Sequence, residues 1–335
     1  MGRARLECDL EPALNGHVER AHQHTLTWAV DMGLVEGSGR TFERFAAARF
    51  TWLAARAYPV VDGSALELIS DWITFLFFYD DMCDTQESTE PDYLEKLMLA
   101  EDRLIEIGYG ARARLGDTPL DLALVDIRER AAQFAGECWL GRLGAHIQEY
   151  IEGVRWERLI RMQGAIPSLA TYSKLRLLIS AVFPCFDFAG MCVDGQRADF
   201  ADDPLVQQLE VMATNHICWV NDIYGVDKEL REDTTSNIVI VLANELHLDW
   251  DGALDYAIEM CNSELEAFTN LERELETKHG LDEQGAQLLR AYVDALRSWM
   301  RGNLDWYSET KRYGSEKDEA GSACWSAWTQ WQSVA

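Results

Sequence analysis

The stretch Ile73-Thr74-Phe75-Leu76-Phe77-Phe78-Tyr79-Asp80-Asp81-Met82-Cys83-Asp84-Thr85-Gln86 runs from nearly unbroken apolar sequence into three carboxylates. Read as a helix, it places Asp80 and Asp84 one turn apart on one face, near enough to share a cation. Asp81 points about a quarter-turn away and is expected to pair with a positive side chain. Acids at the C-terminal end of a helix oppose its macrodipole. Burying them together is costly unless a metal or a cation neutralises them. A solvated acidic helix end is the plainer alternative. Three acids directly behind Phe77, Phe78 and Tyr79 favour an apolar pocket with a metal-binding rim.

Outward from that stretch, apolar residues recur at three- and four-residue spacing, as in Leu205, Leu209, Met212, His216, Val220 and Ile223, or Leu281, Leu288, Leu289, Tyr292, Leu296 and Met300. No convincing run alternates with period two, so the chain reads as all-α. The pattern predicts helices over about 16–34, 40–57, 64–86, 91–108, 119–138, 140–162, 168–182, 185–193, 203–231, 235–246, 250–278 and 282–309. Phe183-Pro184 is expected to end or kink a helix inside the bundle. With no Gly/Ser- or Pro-rich linker and no internal repeat, one domain over 16–313 is expected, after an irregular arm (1–15) and before a tail (314–335). In that tail Trp325, Trp328 and Trp331 have the spacing of a short docking helix, and a partly ordered tail fits equally well.

The 335 residues carry 30 Lys and Arg against 57 Asp and Glu, a net charge of −27. Such a chain is repelled by nucleic acid and by anionic membrane surfaces, and an anionic substrate would need a local cluster of cations or bound metal. The eight cysteines form no CxxC pair and sit mostly in apolar runs, as at Cys185, Cys192 and Cys218, which fits free thiols in a reducing compartment. The N-terminus lacks the apolar core of a signal peptide, and no window has 18 uninterrupted apolar residues. A cytoplasmic protein is expected, with a homodimer left open. The histidines form no ligand set: His22 and His24 fall on different helix faces, and His216 reads as a packed residue.

A second acidic stripe lies in residues 205–229, ending Asn221-Asp222-Ile223-Tyr224-Gly225-Val226-Asp227-Lys228-Glu229. Asn221, Gly225 and Glu229 share one helix face. Asn and Glu offer the oxygen that a hard cation such as Mg2+ prefers. Thr214, Ile217 and Cys218 continue the same face as an apolar or small-residue wall. Asp222 adjoins the stripe and is read as orienting a ligand or an arginine.

The segment Asp80-Asp81-Met82-Cys83-Asp84 resembles the aspartate-rich motif of class I terpene synthases, and Asn221-Asp222-x-x-Gly225-x-x-Lys228-Glu229 resembles their second metal motif. Pro167-Ser168-x-x-x-Tyr172-x-x-x-Arg176 is similar to the segment with the pyrophosphate-sensing arginine, and Arg312-Tyr313 to the C-terminal Arg-Tyr pair of the bacterial enzymes. His17, Glu19, Trp28, Gly33-Leu34-Val35 and Tyr58-Pro59 also fit the bacterial branch, so the resemblance spans nearly the whole chain. It implies a single helical bundle of about a dozen helices around an apolar pocket. It further implies three Mg2+ ions, with Asp80, Asp84, Asn221 and Glu229 as ligands, and Arg176, Lys228, Arg312 and Tyr313 on a diphosphate. Two positions depart from the pattern. Gly225 stands where Ser or Thr is usual, so a water must supply that oxygen. Cys83 stands where an aromatic residue is frequent.

The implied reaction is Mg2+-dependent ionisation and cyclisation of an isoprenyl diphosphate, with release of diphosphate. Farnesyl diphosphate is the first expectation and geranylgeranyl diphosphate the second. The resemblance also places a helix break just after Arg176, with the Ser180 carbonyl facing the substrate. Phe77, Trp306 and Phe183 are candidate aromatic faces for a passing cation. Two rivals are a chain-elongating prenyltransferase and a non-catalytic helical lipid- or metal-binding protein. The first should carry a second aspartate-rich motif at 221–229. The second has no need of Arg176, Arg312 and Tyr313 together.

Overall fold

The computed structural model describes residues 4–84, 93–192, 203–231, 234–278, 283–310 and 312, and the side chains of Asp84, Cys192, Lys228, Arg231, Glu276, Thr277 and Lys278 lie outside that description. Among the described residues there are thirteen helices and no strand. They are α1 (Val18–Asp31), α2 (Arg40–Ala48), α3 (Phe50–Ala57), α4 (Gly63–Asp84), α5 (Tyr93–Gly108), α6 (Pro119–Ala131) and α7 (Glu137–Met162), followed by α8 (Leu169–Ile179), α9 (Val182–Cys192), α10 (Pro204–Arg231), α11 (Ile238–Glu245), α12 (Trp250–Lys278) and α13 (Glu283–Tyr307). Tyr313 and the tryptophan-rich tail fall outside the described residues.

Local chemistry sets several helix starts. Thr118 and Asp121 cap each other reciprocally at the start of α6, with Pro119 in its first turn. Ser168 accepts from the Thr171 N–H to start α8, and Asn237 accepts from the Val239 N–H to start α11. One continuous core follows, with α4 among its most buried helices: Leu66, Ile69, Trp72 and Ile73 are almost fully removed from water. Around it α3 packs on α13 and α4, α7 on α5 and α8, and α10 on α12 and α13.

Two breaks differ from the sequence reading. The helix expected over 40–57 divides at Arg49, whose φ of 55° is left-handed. The Ala48 and Arg49 carbonyls there accept from the Trp306 indole N–H, and Ala48 also accepts from the Thr310 hydroxyl. Of the two breaks expected after Arg176, the one implied by the resemblance is present at Ser180 and Ala181 (φ 54°), while Pro184 makes no break and sits in the first turn of α9, where its missing N–H is harmless. Two glycines allow close helix crossings. A Cβ on Gly302 would lie 2.8 Å from the Arg56 backbone, and one on Gly153 would lie 2.6 Å from the Leu178 Cβ. No single described helix is long and apolar enough to cross a membrane.

The arm before α1 lies along α12 and α13. Its Ala4 and Glu7 N–H groups donate to Asp255 and Asn262, and Arg301 donates to the carbonyls of Cys8 and Leu10.

Candidate active site

A cavity of about 210 Å3 is enclosed by α3, α4, α7, α8, α9, α10 and α13. Asp80 stands on one rim, and Asn221 and Glu229 on the other. Leu53, Ile73, Leu76, Phe77, Ile217 and Trp306 line the apolar part.

The α4 rim is open to water: the Asp80 and Asp81 side chains are 49% and 55% exposed. Arg312 reaches over from beyond α13, 3.4 Å from Asp80 and 2.7 Å from Asp81. Asp81 thus has the cationic partner its quarter-turn offset called for. The guanidinium also lies 4.8 Å from the Phe77 ring centre. Phe77 is stacked on Phe50 at 4.0 Å and 9°, with Trp306 5.6 Å away.

The α10 rim is cross-braced and buried. Arg176 donates through Nε to Asp222 at 3.0 Å and through Nη2 to the Asn221 Oδ1 at 2.8 Å. Asp222 also accepts from the Tyr172 hydroxyl at 2.5 Å and from the Ile238 N–H at 2.7 Å. Burial pushes the Asp222 carboxyl up, against the pull of Arg176 and Tyr172. Burial would lower the Arg176 guanidinium, but Asp222 beside it overrides this and leaves it well above its usual range, so it stays charged. Glu229 accepts at Oε2 from the Asn237 amide, which also donates to the Asp222 carbonyl. A Cβ on Gly225 would stand 2.9 Å from Glu229 Oε1, so the carboxylate occupies the space a side chain would fill.

Among the described residues no group of three His, Cys, Asp or Glu side chains is placed to hold an ion by itself. The opposed oxygen set nonetheless fits Mg2+, which keeps waters and combines one or two carboxylates with phosphate oxygens. Asp84 and Lys228 are in α4 and α10, with side chains outside the description.

Ser180 caps α8 at the helix break and lines the cavity beside Ala181. Phe183 is a correction: it is not among the lining residues, and its ring packs 5.9 Å from His146 and 6.4 Å from Phe186. The break at Ala181 puts Phe183 inside α9, turned toward α7.

Sequence reasoning missed Tyr307, Asn237, Glu157 and Arg161. Glu157 and Arg161 lie one turn apart on α7 and both line the cavity. Burial raises the Glu157 carboxyl, opposed by the Ser236 hydroxyl and by Arg176 and Arg161. A polar pair facing the pocket from α7 was the available signal. Three thiols also line the cavity. Burial pushes Cys83 and Cys185 up to about 12 and Cys218 to about 11, so all three stay protonated and weakly nucleophilic.

Comparison with known proteins gives a consistent picture. A model of "Terpene synthase family 2, C-terminal metal binding" matches residues 71–267. The chain is 35% identical to a (+)-T-muurolol synthase of Roseiflexus castenholzii, described as (2E,6E)-farnesyl diphosphate cyclizing, over 93% of this chain and 94% of that protein. It is 28% identical to a germacrene A synthase of Nostoc punctiforme, over 92% and 94% of the two chains. The crystal structure of an a-eudesmol synthase superposes with a TM-score of 0.81 at 22% identity, covering 91% of this chain and 98% of that one.

Proposed function

We propose, starting from the fact that this chain belongs to the terpene synthase family, that its cavity takes farnesyl diphosphate and converts it to a cyclic C15 terpene. The enzyme is a terpene cyclase, and its family is a metal-binding one. The observation that carries the reading is the meeting of two opposed oxygen-bearing rims, each with an arginine, above one aromatic-walled apolar cavity. The C15 chain length rests on relatives such as the (2E,6E)-farnesyl diphosphate cyclizing T-muurolol synthase.

In this reading Asp80, Asn221 and Glu229 hold Mg2+, three ions in all, with Asp84 as a further ligand and a water at Gly225. When bound, the metal neutralises the diphosphate and acts as a Lewis acid on the leaving oxygen. Arg176, Lys228, Arg312 and Tyr313 bind the remaining diphosphate oxygens. Arg176 is already charged and oriented by Asp222, so it stabilises negative charge that grows on the leaving group without reorganising. Phe77 and Trp306 offer π-faces to the allylic cation. The Ser180 carbonyl lies at the break that faces the substrate. Leu53, Ile73, Leu76 and Ile217 exclude water and fold the chain so that its double bonds attack in sequence. The released diphosphate serves as the terminating base. A cytoplasmic setting, where free thiols persist, fits the six unpaired cysteines among the described residues.

The test is incubation of the full chain with C10, C15 and C20 diphosphates, with and without Mg2+, and mass spectrometry of extractable products. A cyclic C15 product that needs metal is expected. A C20 product alone would move the substrate to geranylgeranyl diphosphate. Longer diphosphates formed with isopentenyl diphosphate would mean elongation, and no turnover with any substrate would remove the enzymatic reading.

A further inference from the structure

We infer that Tyr307 is a positioning residue for Asn221: its hydroxyl holds the amide so that the oxygen, not the nitrogen, faces the metal position. The inference rests on the reading of Asn221 as a metal ligand. The Asn221 Nδ2 donates to the Tyr307 hydroxyl oxygen, while its Oδ1 accepts from Arg176. An asparagine can present either end, because a half-turn about its last torsion exchanges oxygen and NH2. Only the oxygen serves a hard cation.

The two restraints differ in fate. An ion that takes Oδ1, and a diphosphate that takes Arg176, both draw on the Arg176 contact. The Tyr307 contact is on the far side of the amide and is compatible with either state. It is therefore the restraint that persists when the site is loaded.

Tyr307 is well fixed for that task. It is the last residue of α13 and 4% exposed, with its ring lying flat on Tyr224 at 4.7 Å and 7°. Two deeper contacts set the register of α13 against α10. Tyr292 donates to Glu210 at 2.5 Å, and Asn303 donates to the Ile217 carbonyl at 3.2 Å. One turn beyond Asn303 and Ile217 on both helices come Tyr307 and Asn221. The lower rungs fix the helices, so the hydroxyl at the third rung can be removed without moving them.

The experiment titrates Mn2+ into the full chain with inorganic pyrophosphate present and reads bound metal by electron paramagnetic resonance. Tyr307→Phe keeps the ring stack and should weaken Mn2+ binding about tenfold, as loss of an outer hydrogen bond to a ligand does, with the melting temperature unchanged. Asn221→Asp has two equivalent oxygens and no NH2 to orient. In that background Tyr307→Phe should change Mn2+ affinity no more than about twofold, a coupling that a packing role would not produce. Unchanged affinity in Tyr307→Phe, or an equal loss in both backgrounds, overturns the positioning role. Asn221→Ala tests the premise separately: if it binds Mn2+ as tightly as the unaltered chain, Asn221 is not a ligand and the reading of the rim itself falls.

Discussion

The two rims of the cavity solve one problem in opposite ways. On α10, Asn221, Asp222 and Glu229 are tied to Arg176, Tyr172, Asn237 and Tyr307, and the Asp222 side chain is 1% exposed. On α4, Asp80 and Asp81 stand about half in water, held by Arg312 from beyond the end of α13. A buried network of charges is stable only when every member is satisfied, and losing one partner strands another. An exposed ion pair adds little stability and exchanges partners readily. The α10 rim is thus a preformed seat, whereas the α4 rim depends on a distant segment and can be remade when a ligand arrives.

The sharpest way to break this contrast is to remove one acid from each rim. Asp222→Asn leaves Arg176 buried and poorly compensated, and should cost about 3–5 kcal/mol in urea unfolding. Asp81→Asn should cost under about 1 kcal/mol. Similar losses would mean that the rims do not differ. Turnover should not follow stability: Asp80→Ala is expected to leave the melting temperature nearly intact while lowering kcat about 10²- to 10³-fold. A variant that keeps kcat would take Asp80 out of the metal site.

His216, buried in α10 below the seat, sharpens the contrast by pH. Burial lowers its pKa from 6.5 to about 4. The unfolded chain therefore binds a proton that the folded chain refuses, so stability is full above about pH 6.5 and declines as pH falls toward 4. The loss is about 3 kcal/mol at the lower limit. His216→Leu should flatten that part of the unfolding profile and leave the α4 rim untouched. The smallest effect is expected from Gly225→Ser. The new side chain meets only the movable end of Glu229, so turnover should persist. The added oxygen should reduce the Mg2+ concentration for half-maximal rate by about fivefold, one hydrogen bond's worth of free energy. Loss of metal binding in a folded Gly225→Ser chain would displace the stripe assignment.

Most of the helical plan and the position of both rims were legible in the sequence, for one physical reason. Oxygen-bearing residues that must share a face have to recur with the helical period, and Asn221, Gly225 and Glu229 do so on a chain with few prolines. What stayed hidden depends on tertiary contact. Nothing local in Arg49-Phe50 signals a break; the left-handed Arg49 is held by Trp306, 257 residues later in the chain. Pro184 attracted a predicted break because proline usually ends helices, yet it fits a first turn, and the break that the resemblance implied needs Ala181 in a conformation its residue type does not advertise. With the break at Ala181 and none at Pro184, Phe183 lies inside α9 and packs on His146. Tyr307 went unnoticed in the sequence, since its hydroxyl acquires meaning only opposite Asn221.

The crossing at Gly153 has a consequence for how such an enzyme diversifies. The Leu178 side chain and backbone sit where a Gly153 side chain would be, two residues before the Ser180 carbonyl. A methyl group added there, between α7 and α8, would act as a shim that shifts the helix end. New product mixtures can then arise from mutations that touch no reacting carbon, and a search for altered products confined to the cavity wall would overlook them.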